Sequence, residues 1–226
     1  MAERKVIVPN PIIIPEGRLS FFKGNEASYK RNKQGQEIKV DPRTGKEKKP
    51  QFGWTWLLDP TKVWFPGFLK ELKSEAARQL DIFFDVTDPS QRKDKWPQDN
   101  KQTGTKGIYQ CWGNGNDLNK VYEGYKDMFY VKVASTDRPV LGNSKGGVTV
   151  LGDKEHPYGG CYARGRIGLY VFSNESAGVN ANPYSAFFLK DGEGFGGGKQ
   201  RSAEEEYAAF GDAPASQEAV EDPFAT

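Results

Sequence analysis

Two cysteines, Cys111 and Cys161, and one histidine, His156, are the only thiol and imidazole groups in 226 residues. That is too few for a disulfide framework or a Cys/His zinc site, so neither metal nor cofactor is expected. A free Cys161 on an apolar face reads as a core residue suited to a reducing compartment. The lone His156 reads as a loop or hydrogen-bonding residue. Long apolar runs are also missing. The longest burst near the N-terminus, Pro11 to Pro15, falls far short of the ~20 residues that span a bilayer, and no signal-peptide pattern is present. No membrane partner is expected.

Lys and Arg are absent from Ser202 to Thr226, which carries seven acids: Glu204, Glu205, Glu206, Asp212, Glu218, Glu221 and Asp222. The chain has 32 basic and 30 acidic residues, so removing that segment leaves 32 basic against 23 acidic, a formal charge of +9. A basic body beside an acidic tail points to a polyanionic partner for the body. Leu, Ile, Val and Phe total 47 residues, enough with the Trp and Tyr for one packed domain. The 26 glycines and 14 prolines imply long loops around it. The expected division is an extended arm over 1–17, a folded domain over 18–201 and a flexible tail over 202–226.

Successive strand side chains point to opposite faces. In CYARGRIGLYVF, Cys161 to Phe172, one face holds Cys161, Ala163, Gly165, Ile167, Leu169 and Val171, small or apolar throughout. The other holds Tyr162, Arg164, Arg166, Gly168, Tyr170 and Phe172. Rings interleaved with guanidinium groups suit a nucleic-acid strand, because bases stack on aromatic faces while arginines neutralise the phosphates. The same pattern also suits rings covering a second layer of the fold with arginines paired to acids. Met128 to Ala134 repeats it on a smaller scale, with Tyr130 and Lys132 opposite Phe129, Val131 and Val133.

Around these strands the chain reads as follows. The prolines of VIVPNPIIIP confine the arm to a sheet edge or a wrapped segment. Arg18 to Lys23 is a first strand, and Arg18 through Lys49 carries ten basic and four acidic residues in a loop able to fold over a polyanion. Gln51 to Leu58 is a strand whose Trp54 and Trp56 share a face, either core or stacking platform. Pro66 to Leu80 is a helix, with Phe68, Leu69, Leu72, Ala76 and Leu80 on one side. Ile108 to Trp112 is a short strand, Ser173 to Pro183 a turn region, and Tyr184 to Lys190 a closing strand. The run DGEGFGGG lacks the ending and the helix of a phosphate-binding loop.

From Tyr158 to Tyr207 the pattern YGGCYARGRIGLYVF, then AFFLKDGEGFGGG, then an acidic stretch, resembles a phage family of single-stranded DNA-binding proteins. The end, EAVEDPFAT, resembles the acidic tails of bacterial and phage single-stranded DNA-binding proteins, although Ala225 and Thr226 follow Phe224. The resemblance implies an elaborated OB-fold, a mainly β, antiparallel five-stranded barrel with one main helix and long loops. It implies no catalysis, and a location in the cytoplasm of the infected bacterium. A helix after the second strand departs from the simple OB-fold, which places it between the third and fourth, and points to elaboration. Implied partners are single-stranded DNA and, through Glu221, Asp222, Pro223 and Phe224, replication or recombination proteins. The groove would be lined by Tyr162, Arg164, Arg166, Tyr170, Tyr130 and Lys132, with Lys30, Arg31, Lys33, Trp54 and Tyr158 contributing. Two competitors stand beside this reading: an assembly protein using the same rings for protein contacts, and a metal-dependent nuclease built on Asp81, Asp85 and Asp88.

Overall fold

The computed structural model describes residues 7–32, 34–41, 45–100, 105–118, 122, 124–173 and 177–195. Lys33 and the tail residues Glu221, Asp222, Pro223 and Phe224 lie outside them. The described residues belong to one compact unit, Met1–Phe195.

In chain order the elements are β1 (Ile12–Ser28), β2 (Gln51–Leu58), α1 (Phe65–Phe83), a 3-10 turn and the one-turn helix α2 (Arg92–Lys95), and the short strands β3 (Asp99–Asn100), β4 (Thr105–Lys106), β5 (Tyr109–Gln110) and β6 (Trp112–Asn114). Then come β7 (Phe129–Ser135), β8 (Val140–Gly142), β9 (Tyr162–Ser173) and β10 (Ala177–Lys190). Eight of these strands form one sheet in the order β5-β10-β9-β1-β2-β7-β6, with β8 pairing β10. The architecture is mainly β, as expected, with five long strands and three short ones in the sheet. Its two ends meet the same segment. Cys111 lies between β5 and β6, its N–H donating to Val179 O at 3.1 Å while its carbonyl accepts from Lys132 N at 2.8 Å.

The expected arm is only in part an arm. Ile12, Ile13 and Ile14 pair with Ile167, Arg166 and Gly165, and Ile12 and Ile14 are fully buried. Pro15 is accommodated at the register shift between Ile14 and Gly17, a place where a ladder can lose a donor. After that bulge Gly17 and Arg18 still pair with Ala163 and Tyr162 of β9, and from Arg18 onward β1 also runs beside β2. Pro183 does the same in β10, at a second register shift, so residues read as a turn region belong instead to the sheet.

The core fills the interior with Trp54, Trp56, Leu58, Val131, Ile167 and Leu169, and α1 lays Phe68, Leu72, Ala76 and Leu80 against it. Trp54 and Trp56 meet edge-on at 6.0 Å, a geometry worth about 0.5–1.5 kcal/mol beyond the area they bury. Trp54 is only 3% exposed, so the stacking role expected for it is withdrawn. Cys161 is fully buried, as its face implied, and burial pushes its thiol up to about 11.

One polar cluster ties the N-terminal segment to the helix and the sheet. Glu75 is buried on α1 and accepts from Asn10 N and Nδ2, both at 2.9 Å, from Arg78 Nε and Nη2 at 2.8 and 2.7 Å, and from Gln79 Nε2 at 2.7 Å. Gln79 Nε2 also donates to Leu169 O at 2.8 Å, and Arg78 to Val8 O at 2.9 Å. Burial alone would raise the Glu75 carboxyl, but the donors from Arg78, Gln79 and Asn10 prevail and hold it at about 2.

Candidate nucleic-acid interface

On β9 the alternation read from the sequence holds along the strand. Ala163, Gly165, Ile167 and Leu169 are buried, Arg164 and Arg166 exposed, and Tyr162, Tyr170 and Phe172 half-buried. Among the described residues no carboxylate pairs with Arg164 or Arg166, so the structure does not support the reading in which those arginines neutralise acids of the fold. Gly168 breaks the outward row for a steric reason. The Tyr184 hydroxyl lies across it, and a Cβ at Gly168 would stand 2.1 Å from that oxygen. Tyr170 continues the row beyond, opposite Asn180 and hydrogen-bonded to it.

Strand register also builds a row across the sheet. Lys190 opposes Tyr162, Tyr162 opposes Arg18, Arg18 opposes Leu57, Leu57 opposes Tyr130, and Tyr130 opposes Gly113. Directly opposed residues share a face, so Tyr162 and Tyr130 lie on the same side of the sheet, with the buried Leu57 between them, although they stand 32 positions apart along the chain. Cations attend both rings: Lys190 Nζ lies 4.7 Å from the Tyr162 centroid and Lys132 Nζ 5.0 Å from that of Tyr130. Lys132 belongs to the adjacent row with Thr55 and Ser20. Burial raises the Tyr130 and Tyr170 phenols, which keeps both rings neutral.

Sequence reasoning missed several members of this surface. Arg18 donates through Nε to Gly160 O at 3.0 Å and through Nη2 to Glu193 O, and its guanidinium lies 4.0 Å from the Phe195 ring centroid. Phe195 packs against Gly124, where a Cβ would stand 2.2 Å from the ring, and φ of +78° also calls for glycine. Phe21 sits at the register shift between Ser20 and Lys23 with φ of 50°, uncommon for a bulky residue, and is 58% exposed. Its ring meets Tyr122 edge-on at 5.2 Å, and Tyr122 lies 5.7 Å from the buried Tyr125. Alternation along RLSFFK places Phe21 on the face of the buried Leu19, and the bulge turns it outward instead.

The remaining expected residues lie apart from this row. Lys30 and Arg31 leave the opposite end of the β1–β2 pair, in a segment ordered by the bridges Arg31↔Glu37 and Val40↔Glu47. Two of its cations are engaged, Lys39 with Glu37 and Lys48 with Asp41, each at 3.4 Å. Tyr158 donates its hydroxyl to Asp191 Oδ1 at 2.9 Å and packs 6.4 Å from Phe188, an orienting role at the edge of the core. His156 bonds Thr149 Oγ1 at 2.9 Å and Asn25, and burial lowers its pKa.

Two carboxylates of the nuclease reading, those of Asp81 and Asp88, serve the fold. Asp81 accepts from both Nε and Nη2 of Arg92, at 3.0 and 2.6 Å, and Asp88 caps the 3-10 turn through Ser90 N at 2.8 Å. The Asp85 carbonyl accepts from Lys95 Nζ. Among the described residues no group of three or more His, Cys, Asp or Glu side chains could hold a metal ion. Among them, too, no helix is long and apolar enough to cross a membrane.

Comparison with known proteins places this surface in context. A family model described as Enterobacter phage Enc34, ssDNA-binding protein, matches residues 87–220. A curated relative, Putative protein p50 of Acyrthosiphon pisum secondary endosymbiont phage 1, is 30% identical over 95 residues, 42% of this chain and 50% of that one. The chain thus spans about half the length of the curated relative it matches. The single-stranded DNA-binding protein from bacteriophage Enc34 in complex with ssDNA is 17% identical, covers 82% of this chain and 89% of its own, and superposes with a TM-score of 0.57. A second structure of the single-stranded DNA-binding protein from bacteriophage Enc34 is 18% identical over 87% of this chain and 89% of its own, with a TM-score of 0.53. At such identities the superpositions speak for the fold, which is OB-like and mainly β. The family match covers residues 87–220, more than half of the sequence, and the chain belongs to the Enterobacter phage Enc34 ssDNA-binding protein family.

Proposed function

We propose that this chain binds single-stranded DNA with little sequence preference and coats it during phage DNA replication or recombination in the host cytoplasm, without catalysing a reaction. The observation that carries the reading is the outer face of β9, where Tyr162, Arg164, Arg166 and Tyr170 present rings together with guanidinium groups that have no carboxylate partner among the described residues. The row through Arg18 and Tyr130, with Lys132 beside it, extends that face across the sheet. Rings stack bases at about 1–3 kcal/mol each without reading their edges, and the cations hold the phosphates between them. We read the five long strands, joined end to end through Cys111, as an elaborated OB-type barrel carrying this face.

The acidic segment 202–226 acts as a tethered polyanion that competes with DNA for the basic body. Through Glu221, Asp222, Pro223 and Phe224 it recruits replication or recombination proteins. Oligothymidine titrations of the full chain and of a chain ending at Arg201, followed by intrinsic tyrosine and tryptophan fluorescence, test both parts. The full chain is expected to bind, and the shortened chain to bind more tightly at low salt. Equal or weaker binding by the shortened chain rejects tail competition, and no binding by either rejects the whole reading.

A further inference from the structure

Beside the arginines of β9 lies a hollow that the reading above does not use. Arg164 opposes Phe187 of β10, while Arg166 is flanked by Ser185 of β10 and Ile13 of β1. Together with Gly146 these residues line a mostly apolar depression of about 220 Å³. Ile13 is 60% exposed, on the stretch of β1 that pairs with β9 alone before β2 joins at Arg18. Phe187 is backed by Gly142, where a Cβ would stand 2.5 Å from the ring, so the phenyl group is braced from behind. The facing wall is a tight hairpin in which Asn143 N donates to Gly147 O, Gly147 N donates to Asn143 Oδ1, both at 2.9 Å, and Gly146 takes φ of +86°. Backbone rather than side chain therefore borders the hollow on that side.

We propose that this depression is a seat for one unpaired nucleobase, stacked on Phe187 and against Ile13, with the flanking phosphates on Arg164 and Arg166. The proposal rests on the single-stranded DNA reading and names a site within it. Three features favour a base. The volume lies below the ~300–1,000 Å³ of pockets for drug-sized ligands and suits a single ring system. The floor is a braced aromatic face with an aliphatic neighbour, the surface on which a flat base gains most from leaving water. Arg164 and Arg166 stand two residues apart on one strand, so their backbones are about 6.6 Å apart, comparable to one nucleotide step of an extended chain. A duplex offers base edges and not faces, so the seat also discriminates against paired DNA.

The test compares wild type, Phe187→Ala and Ile13→Ala, as full chains, on a labelled oligothymidine and on the same backbone without bases. Phe187→Ala is expected to weaken oligothymidine binding about tenfold and Ile13→Ala severalfold, with the abasic strand bound as by wild type. Phe187→Trp should retain affinity. Ultraviolet cross-linking of wild type to an oligomer carrying 5-iododeoxyuridine should place an adduct on Phe187, which covers the case of a variant that fails to fold. If wild type binds oligothymidine but Phe187→Ala binds it equally, or loses both ligands equally with no adduct on Phe187, the seat is rejected while the single-stranded DNA reading stands. A labelled acidic peptide bearing one phenylalanine is the rival occupant. Its loss on Phe187→Ala, with oligothymidine binding unchanged, would make the hollow a protein-docking site and overturn the proposal. Wild type that binds neither oligomer rejects the underlying reading itself.

Discussion

Replacing Arg164 and Arg166 together by alanine is expected to lower single-stranded DNA affinity about a hundredfold at 50 mM salt while leaving thermal stability nearly unchanged. Each guanidinium lost removes a charge-assisted contact worth about 1.5–3 kcal/mol, screened here by exposure to the lower end. Neither arginine has a carboxylate partner among the described residues, so no buried charge is stranded when it goes. The salt dependence gives the more diagnostic readout. A single strand releases about 0.7 counterion per phosphate neutralised, so the slope of log affinity on log salt should flatten by about 1.4 in the double variant. Equal slopes for wild type and variant, from a salt titration by anisotropy, would mean that these arginines do not meet phosphates. Lys132→Ala should flatten the slope by half as much, because Lys132 supplies one cation beside Tyr130.

Replacing Glu75 by alanine is expected to cost about 3–5 kcal/mol, because its buried carboxylate accepts several charge-assisted hydrogen bonds worth about 1.5–3 kcal/mol each, discounted for the part-exposed Arg78. For a domain of this size that is a fall in melting temperature of about 6–20 °C. The cost arises from the donors of Arg78, Gln79 and Asn10, which lose their common acceptor, and the damage should spread to the pairing of Ile12–Ile14 with β9. The pH dependence follows from the depressed carboxyl. Held at about 2 in the fold and near 4.5 when unfolded, Glu75 contributes stability that is present above pH 4.5 and lost as pH falls toward 2. The shift amounts to about 3 kcal/mol at neutral pH. The gap in melting temperature between wild type and Glu75→Gln should therefore narrow as pH drops from 5 to 2. Parallel curves over that window would assign the stability of this corner to something other than the carboxylate.

The difference between what the sequence disclosed and what it hid has physical causes at particular residues. β9 was legible because its alternation is clean: small and apolar on one face, Tyr and Arg on the other, with no proline. The first half of β10 was not, because Asn180, Asn182 and Pro183 give it the composition of a turn, although Ala177, Val179 and Ala181 point inward with a period of two. Ile12–Ile14 read as an arm because prolines stand on either side, and they join the sheet on one side only, against β9, before β2 comes alongside at Arg18. Trp54 and Trp56 were rightly placed on one face. Which face could not be read, because Leu57 and Leu58 leave β2 apolar on both.

The helix shows a different limit. Phe68, Leu72, Ala76 and Leu80 were foreseen as its buried stripe, yet Glu75 and Gln79 are buried too. Their partners come from Asn10 and Leu169, distant in sequence, and periodicity carries no signal for such pairs. The site follows the same division. The proposed contacts Tyr162, Arg164, Arg166, Tyr130 and Lys132 are legible from strand patterns. Arg18, Phe21, Phe187 and Phe195 join them only through register, bulges and loop packing. The helix follows β2, where the sequence pattern places it, and the short strands β5 and β6 lie between α1 and β7.

The measurement that bears most directly on the central claim is fluorescence anisotropy of the full chain with a labelled oligothymidine and a matched duplex across a salt series. The account predicts tight, salt-sensitive binding to the single strand and much weaker binding to the duplex, since rings on the β9 face stack only on unpaired bases. Equal affinity for the two, or none for either, would contradict it and leave the Tyr and Arg face to another partner.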